Sequence, residues 1–191
     1  MNNIAHLICS KNFSGIEQHV HELTSTLTNN SDYDLYIFAD KTLEPHFQNQ
    51  RFKIFPNKFR FNLFALFKLR KLIKDHKIQI LHCHGSKSIL LGRWVSWIAK
   101  VELIATVHAN KKRPVATNGF RKTIVVNELL KKIYPAAEVI GNWVNPKLEI
   151  LNSSRDGNFI AVGRLEKIKR FDLLIHAWKG IDEKLEIIGD G

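Results

Sequence analysis

Cysteine is nearly absent from this sequence: Cys9 and Cys83 are two among 191 residues, too few for a disulfide framework. Both stand in apolar, strand-like runs, so they read as reduced core thiols of a cytosolic chain rather than as a redox or metal pair. The stretch from Met1 to Cys9 has too few consecutive apolar residues for a signal peptide, and no window approaches the ~18 needed to span a bilayer. A soluble or peripheral, cytoplasmic protein is expected. Two nucleotide signatures are missing as well. No Gly-x-Gly-x-x-Gly follows the first strand-like run, and Gly85-Ser86-Lys87-Ser88 has neither the Gly-Lys pair nor the upstream glycine of a P-loop, which removes dehydrogenase and P-loop NTPase readings. Acidic residues are the minority charge, 18 Asp+Glu against 29 Lys+Arg, for a formal balance of +11. That excess suits nucleic acid, an anionic membrane or a phosphorylated small molecule equally. With 45% apolar and 25% charged residues, a disordered or collagen-like chain is excluded.

What is present is an alternation of short β-branched runs with helical patterns. Ile4 to Cys9 reads as a strand, and Ser14-Gly15 opens a helix whose Ile16, Val20, Leu23 and Leu27 recur on one face. Strands follow at Tyr33 to Phe38 and Arg51 to Phe55, then a long helix from about Phe61 to His76. Ile78 to Cys83 is the next strand, Gly85-Ser86 starts a helix to Ala99, and Leu103 to Val107, Thr123 to Val126 and Glu138 to Ile140 are three more strands. A short helix at Glu128 to Ile133 lies between the last two. The order β then α, repeated, predicts a Rossmann-like, doubly wound parallel sheet covered on both faces. A polar, turn-rich stretch at 152–158 then reads as a linker, which bounds a first domain at 1–151. Behind it a new β-α-β unit at 159–191 begins a second Rossmann-like domain. Two strands and one helix cannot cover both faces of a sheet, so residues 159–191 read as the opening of that domain only.

Three places could carry chemistry. Gly15, at a strand-to-helix turn, can let a backbone approach a phosphate, or can simply allow a tight turn. Alternation along a strand puts His82 and His84 on one face; no third metal ligand with sensible spacing is visible. A cleft position at the carboxyl end of a parallel strand is therefore preferred for them, as it is for His108 after Leu103 to Val107. Each is equally readable as a buried, hydrogen-bonded histidine. In the last segment Gly163 directly follows a strand, Arg164 adjoins it, and Lys169 comes five residues after Arg164, just before a helix. A glycine for close approach, a bidentate guanidinium and a point charge form a diphosphate site, although a solvated basic loop has the same residue types.

The run Val162-Gly163-Arg164-Leu165, with Lys169, Asp172-Leu173-Leu174-Ile175 and Leu185 to Gly191, resembles the opening of the donor domain in retaining GT-B glycosyltransferases of family four, glycosyltransferase group 1. Ser14-Gly15-Ile16-Glu17 resembles that family's N-terminal glycine loop, where Gly-Gly is more usual. His82-Cys83-His84-Gly85 and Ala105-Thr106-Val107-His108 resemble its two histidine-bearing strand ends. Ile140 to Asn145 resembles its segment before the linker, with the usual Pro, Gly and Asp replaced. The resemblance implies transfer of a hexosyl-type sugar, with retention, from a nucleoside-diphosphate-sugar to a glycan or lipid-linked acceptor, in bacterial surface polysaccharide or lipopolysaccharide synthesis. It implies no metal and no other cofactor. Arg164 and Lys169 would hold the diphosphate and stabilise its developing charge, with Gly163 and Gly15 beside it. His108 would hydrogen-bond the donor sugar, and His84 would line the acceptor side. Arg170 stands where the family has glycine. The paired glutamates that hold sugar and ribose in the family lie in the later part of its second domain, so the 191 residues alone are expected to fold without turning over donor.

The basic excess is concentrated. Residues 51–77 hold nine Lys/Arg and one Asp, +8 of the +11. This block lacks the motifs of an RRM or a helix-turn-helix, against a nucleic-acid-binding α/β protein, which stays the rival reading alongside an inactive truncated glycosyltransferase. On a helical projection Phe61, Ala65, Leu66, Leu69, Leu72 and Ile73 form an arc that can pack on the sheet. Arg60, Lys71 and Lys74 lie opposite, with Leu63, Phe64 and Phe67 among them. That mixture predicts an interfacial patch on an anionic membrane surface, which would place the protein on the inner face of the cytoplasmic membrane. Coverage of the three apolar residues by a neighbouring segment is the alternative. Donor sugar, base, acceptor and oligomeric state are not legible.

Overall fold

A computed structural model describes residues 2–30, 33–48, 50–56, 63–110, 113–142 and 159–191. The chain divides into two compact units, Met1–Asn145 and Pro146–Gly191. The boundary expected at 151 and the linker at 152–158 lie outside the described residues.

In the first unit β1 (Asn2–Ile8), β2 (Tyr33–Ala39), β3 (Arg51–Ile54), β4 (Ile80–His84), β5 (Glu102–Val107), β6 (Lys122–Val125) and β7 (Glu138–Val139) form one sheet in the order β3-β2-β1-β4-β5-β6-β7. Every pairing in it is parallel, as the β-then-α alternation predicts. The register puts His6 beside His82 and Ile8 beside His84. Successive strand residues face opposite sides, and the two sides differ. On one, Leu7, Phe38, Leu81, Cys83 and Ala105 pack with Ala65, Leu69 and Ile73 of α2 (Leu63–Asp75), with Ile89 and Val95 of α3 (Gly85–Val95), and with Leu130 of α4 (Glu128–Ile133). The fit at α3 is tight: a Cβ on Gly92 would overlap Cys83 Sγ. On the other, Ile8, Ile37 and Ala39 meet Val20 of α1 (Gly15–Asn30) and Leu43 and Phe47 of a 3-10 helix, Lys41–Phe47. Sequence periodicity did not predict that short helix, which contains Pro45 and is started by Asp40 accepting from the Thr42 amide.

The predicted arc of α2 is the packed one. Ala65, Leu69 and Ile73 are buried, whereas Leu63, Phe64 and Phe67 are 72%, 86% and 60% exposed. Phe61 and Arg60 lie outside the described residues.

The second unit pairs β8 (Phe159–Val162) with β9 (Leu185–Ile188) in parallel, joined through a 3-10 turn, Lys167–Lys169, and α5 (Phe171–Ala177). None of the residues 159–191 is buried, in keeping with the expectation that two strands and one helix cannot cover their own apolar faces.

Candidate functional site

The chain leaves β1 through α1 on one face and returns to β4 from α2 on the other, so β1 and β4 are the neighbours at which the winding reverses. Loops diverge at such a point and open a crevice beyond the carboxyl ends of the strands. A cleft of about 170 Å³ lies there, lined by residues that include Ser10, Glu17, His84, Gly85, Ser86 and His108. Gly85 turns the chain from β4 into α3 with φ +76, a left-handed conformation that glycine adopts without strain.

The face of the sheet beneath this cleft is built of imidazoles. His6 Nδ1 and His84 Nε2 lie 3.1 Å apart, His84 Nδ1 and His108 Nε2 3.4 Å, and His82 Nε2 and Thr106 Oγ1 2.7 Å. From α1, His19 meets the His108 ring edge-on, with centroids 4.8 Å apart. Burial pushes the His6 pKa down to about 3 and that of His108 to about 4, in each case reinforced by His19. His82 and His84 are held well below the ordinary histidine value by desolvation first and neighbouring imidazoles second. His19 is lowered too, again by burial, against the opposing pull of Glu22 and a hydrogen bond with Asn142. All five rings are therefore neutral near pH 7, each with one N–H and one lone pair.

At the start of α1, Glu17 makes one half of a capping box, its carboxylate reaching back to Ser14. The buried Glu17 carboxylate accepts from the Ser14 amide at 2.9 Å, from Ser14 Oγ at 2.7 Å and from Ser10 Oγ. Gly15, the exposed first residue of the helix, has nothing within 4 Å of where a Cβ would stand, so the packing of this chain does not itself require glycine there.

The second unit carries the basic loop by itself. Gly163 follows β8, and a Cβ on Gly189 would overlap the Gly163 carbonyl oxygen, so the loops after β8 and β9 touch backbone to backbone. The Gly163 amide donates to the Ile188 carbonyl at 3.0 Å and that of Leu165 to Asp190 at 2.7 Å. In this frame Arg164 Nη1 reaches Glu166 Oε1 at 2.6 Å, and Lys169 is exposed at the end of the 3-10 turn. Arg170 adopts φ 52 and ψ 40. That is the backbone a glycine would supply, so the departure from the usual residue leaves the loop's left-handed turn in place.

A family model for Glycosyltransferase Family 4 matches residues 13–140. The chain belongs to glycosyltransferase family 4. No curated protein matches it. Among solved structures, the apo form of the lipopolysaccharide outer core galactosyltransferase WaaB is similar with TM-score 0.74 at 18% identity, covering 100% of this chain and 61% of that one. HepE of Anabaena in complex with UDP and glucose gives TM-score 0.74 at 15% identity, covering 98% and 60%. Sucrose-phosphate synthase from Thermosynechococcus elongatus gives 0.67 at 14%, covering 99% and 62%. At such identities the likeness is one of fold, the Rossmann-like α/β architecture of GT-B glycosyltransferases. The chain spans about three fifths of the length of these proteins.

Of the residues predicted for the family 4 site, His84 and His108 come together in the cleft. Arg164, Lys169 and Gly163 share one loop of the second unit. His84 is only 2% exposed and touches the cleft from within the imidazole row rather than standing at its rim. Sequence reasoning missed His6, His19 and Glu17. The Ser-x-x-Glu spacing of a capping box was available for Glu17. For His6 the signal would have been the pairing of the first and fourth strands, which no local pattern contains.

Proposed function

We propose that the protein acts in glycosyl transfer, moving a sugar from a nucleoside-diphosphate-sugar to a glycan or lipid-linked acceptor with retention. The observation that carries this reading is the cleft at the winding reversal of a family 4 domain, with His108 at its edge. A ring held neutral by burial can donate to or accept from a sugar hydroxyl without drawing the donor's phosphates toward itself. His84 stands behind it, on the acceptor side in this reading. Arg164 and Lys169 would grip the diphosphate and stabilise the charge that develops as the glycosidic bond breaks, so that step needs no metal. Gly163 and Gly15 would leave room for phosphate oxygens near backbone.

A role in surface polysaccharide or lipopolysaccharide synthesis, on the inner face of the cytoplasmic membrane, is the biological setting this reading favours. No helix among the described residues is long and apolar enough to cross a membrane. Contact with anionic lipid would fall to Leu63, Phe64, Phe67, Lys71 and Lys74 of α2, together with Arg60 outside the described residues. The family assignment takes precedence over nucleic acid as the reason for the positive charge.

The test is label transfer from a panel of nucleotide sugars by the protein expressed from its full reading frame. His108→Ala, Arg164→Ala and Lys169→Ala should each lower kcat ~100-fold while circular dichroism stays that of the parent. Unchanged kcat in all three, or no turnover of any nucleotide sugar, refutes the reading.

A further inference from the structure

We propose that His19, His84 and His108 form a binding site for a divalent first-row transition ion, of which Zn²⁺ is the reference. One ring nitrogen from each of the three lies within 4.8 Å of the others, although they come from α1, the end of β4 and the residue after β5. The spacing is informative. His84 Nδ1 and His108 Nε2 stand 3.4 Å apart, long for a hydrogen bond between rings. It is close to the ~3.3 Å edge of a tetrahedron drawn around an ion with bonds of about 2.05 Å.

The surroundings match a metal site one layer further out. A metal-bound imidazole is usually oriented by a hydrogen bond at its other nitrogen. His84 has that arrangement, its Nε2 being 3.1 Å from His6 Nδ1. His84 and His108 line the cleft, which gives the ion a route in and leaves room for a water or anion as fourth ligand. An all-imidazole set selects zinc, copper, nickel or cobalt over magnesium and calcium. Glu17, the carboxylate of the same cleft, is committed to Ser10 and Ser14. A second trio, His6, His82 and His84, is buried at all three members, so the ion is assigned to the trio that reaches the cleft.

The ion would take one nitrogen each of His84 and His108, the residues proposed above to meet acceptor and donor sugar, so its test reads binding and no activity. The tag-free 191-residue chain, stripped with EDTA and dialysed, is titrated calorimetrically with ZnCl₂ and with MgCl₂, and spectroscopically with CoCl₂. We expect one Zn²⁺ per chain with a dissociation constant of about 1 μM or below. Cobalt should give the intense visible bands of four-coordinate geometry, and magnesium no saturable heat. His19→Ala and His108→Ala should each weaken Zn²⁺ binding about tenfold or more, whereas His46→Ala and His176→Ala should leave it unchanged. His19, half-buried on α1, is the variant chosen to keep the fold, checked by far-ultraviolet circular dichroism; His19→Gln serves as a second. The proposal is overturned by absence of saturable one-to-one binding, or by affinity that survives both the His19 and the His108 changes.

Discussion

A proton placed on His6 would have no water around it, which is why burial drives its pKa down to about 3, and His108, partly open to the cleft, to about 4. In the unfolded chain both titrate near 6.5. Between 6.5 and the folded values the unfolded state binds more protons, so stability is full above neutral pH and falls as pH falls through that window. The loss approaches ~1.4 kcal/mol per pH unit for each such group. At about pH 4.5 His6 and His108 alone would remove on the order of 4 to 5 kcal/mol, comparable with the whole stability of a modest domain. His82 and His84, lowered in the same direction, steepen the fall. Urea midpoints measured with EDTA present should therefore drop sharply between pH 7 and 4.5. A midpoint that stays level across that range would mean that these rings are hydrated.

α2 shows what a helix reveals of itself. Its apolar spacing alone identifies Ala65, Leu69 and Ile73 as the packed face, because side chains three and four apart share one side. The same spacing singles out Leu63, Phe64 and Phe67, which are exposed beside Lys68, Lys71 and Lys74, with Lys71 sharing its charge with Asp75 at 2.8 Å. Aromatic rings and cations on one exposed face suit an anionic bilayer surface, where each basic residue contributes ~1 kcal/mol and each ring up to ~3 kcal/mol on full burial. The protein should sediment with anionic vesicles at low salt, and Phe64→Ser/Phe67→Ser should abolish most of that binding. Equal sedimentation of parent and double variant, or none by the parent, rules the patch out as an anchor. The strands were legible for a like reason, since parallel, twice-covered strands read as β-branched runs. Residue chemistry also marked His84, His108 and Arg164. The imidazole row was not legible: His6 and His84 meet through strand register across 78 positions, and nothing local to either records the other. The Lys41–Phe47 helix escaped because it is too short to show a period and holds a proline.

The two units differ in how their backbone is protected. β4 is flanked by β1 and β5 and covered on both faces, with Leu81, Cys83 and His84 buried. β8 has β9 on one side, among the described residues, and Phe159, Ile160 and Val162 are each more than half exposed. Local opening should be cheap in the second unit and as costly as global unfolding in the centre of the first. In hydrogen exchange of the 191-residue chain at neutral pH, amides of 80–84 and 102–107 should persist for roughly hours, while those of 159–162 and 185–188 exchange within about a minute. Comparable protection in both would contradict the burial. The position of β1 has a consequence for synthesis. Ile4 pairs with Leu35 on one side and Ile80 on the other. At ~5 to 20 residues per second, Ile80 follows Ile4 from the ribosome by about 4 to 15 s. For that interval the nascent chain can hold β1, α1 and β2 with one long edge of β1 unpaired, the kind of edge that templates association with another chain. The arrival of β4 closes it, and the same strand brings His82 and His84 to His6. Protection of the growing polypeptide and assembly of the imidazole row are thus one event in its biogenesis.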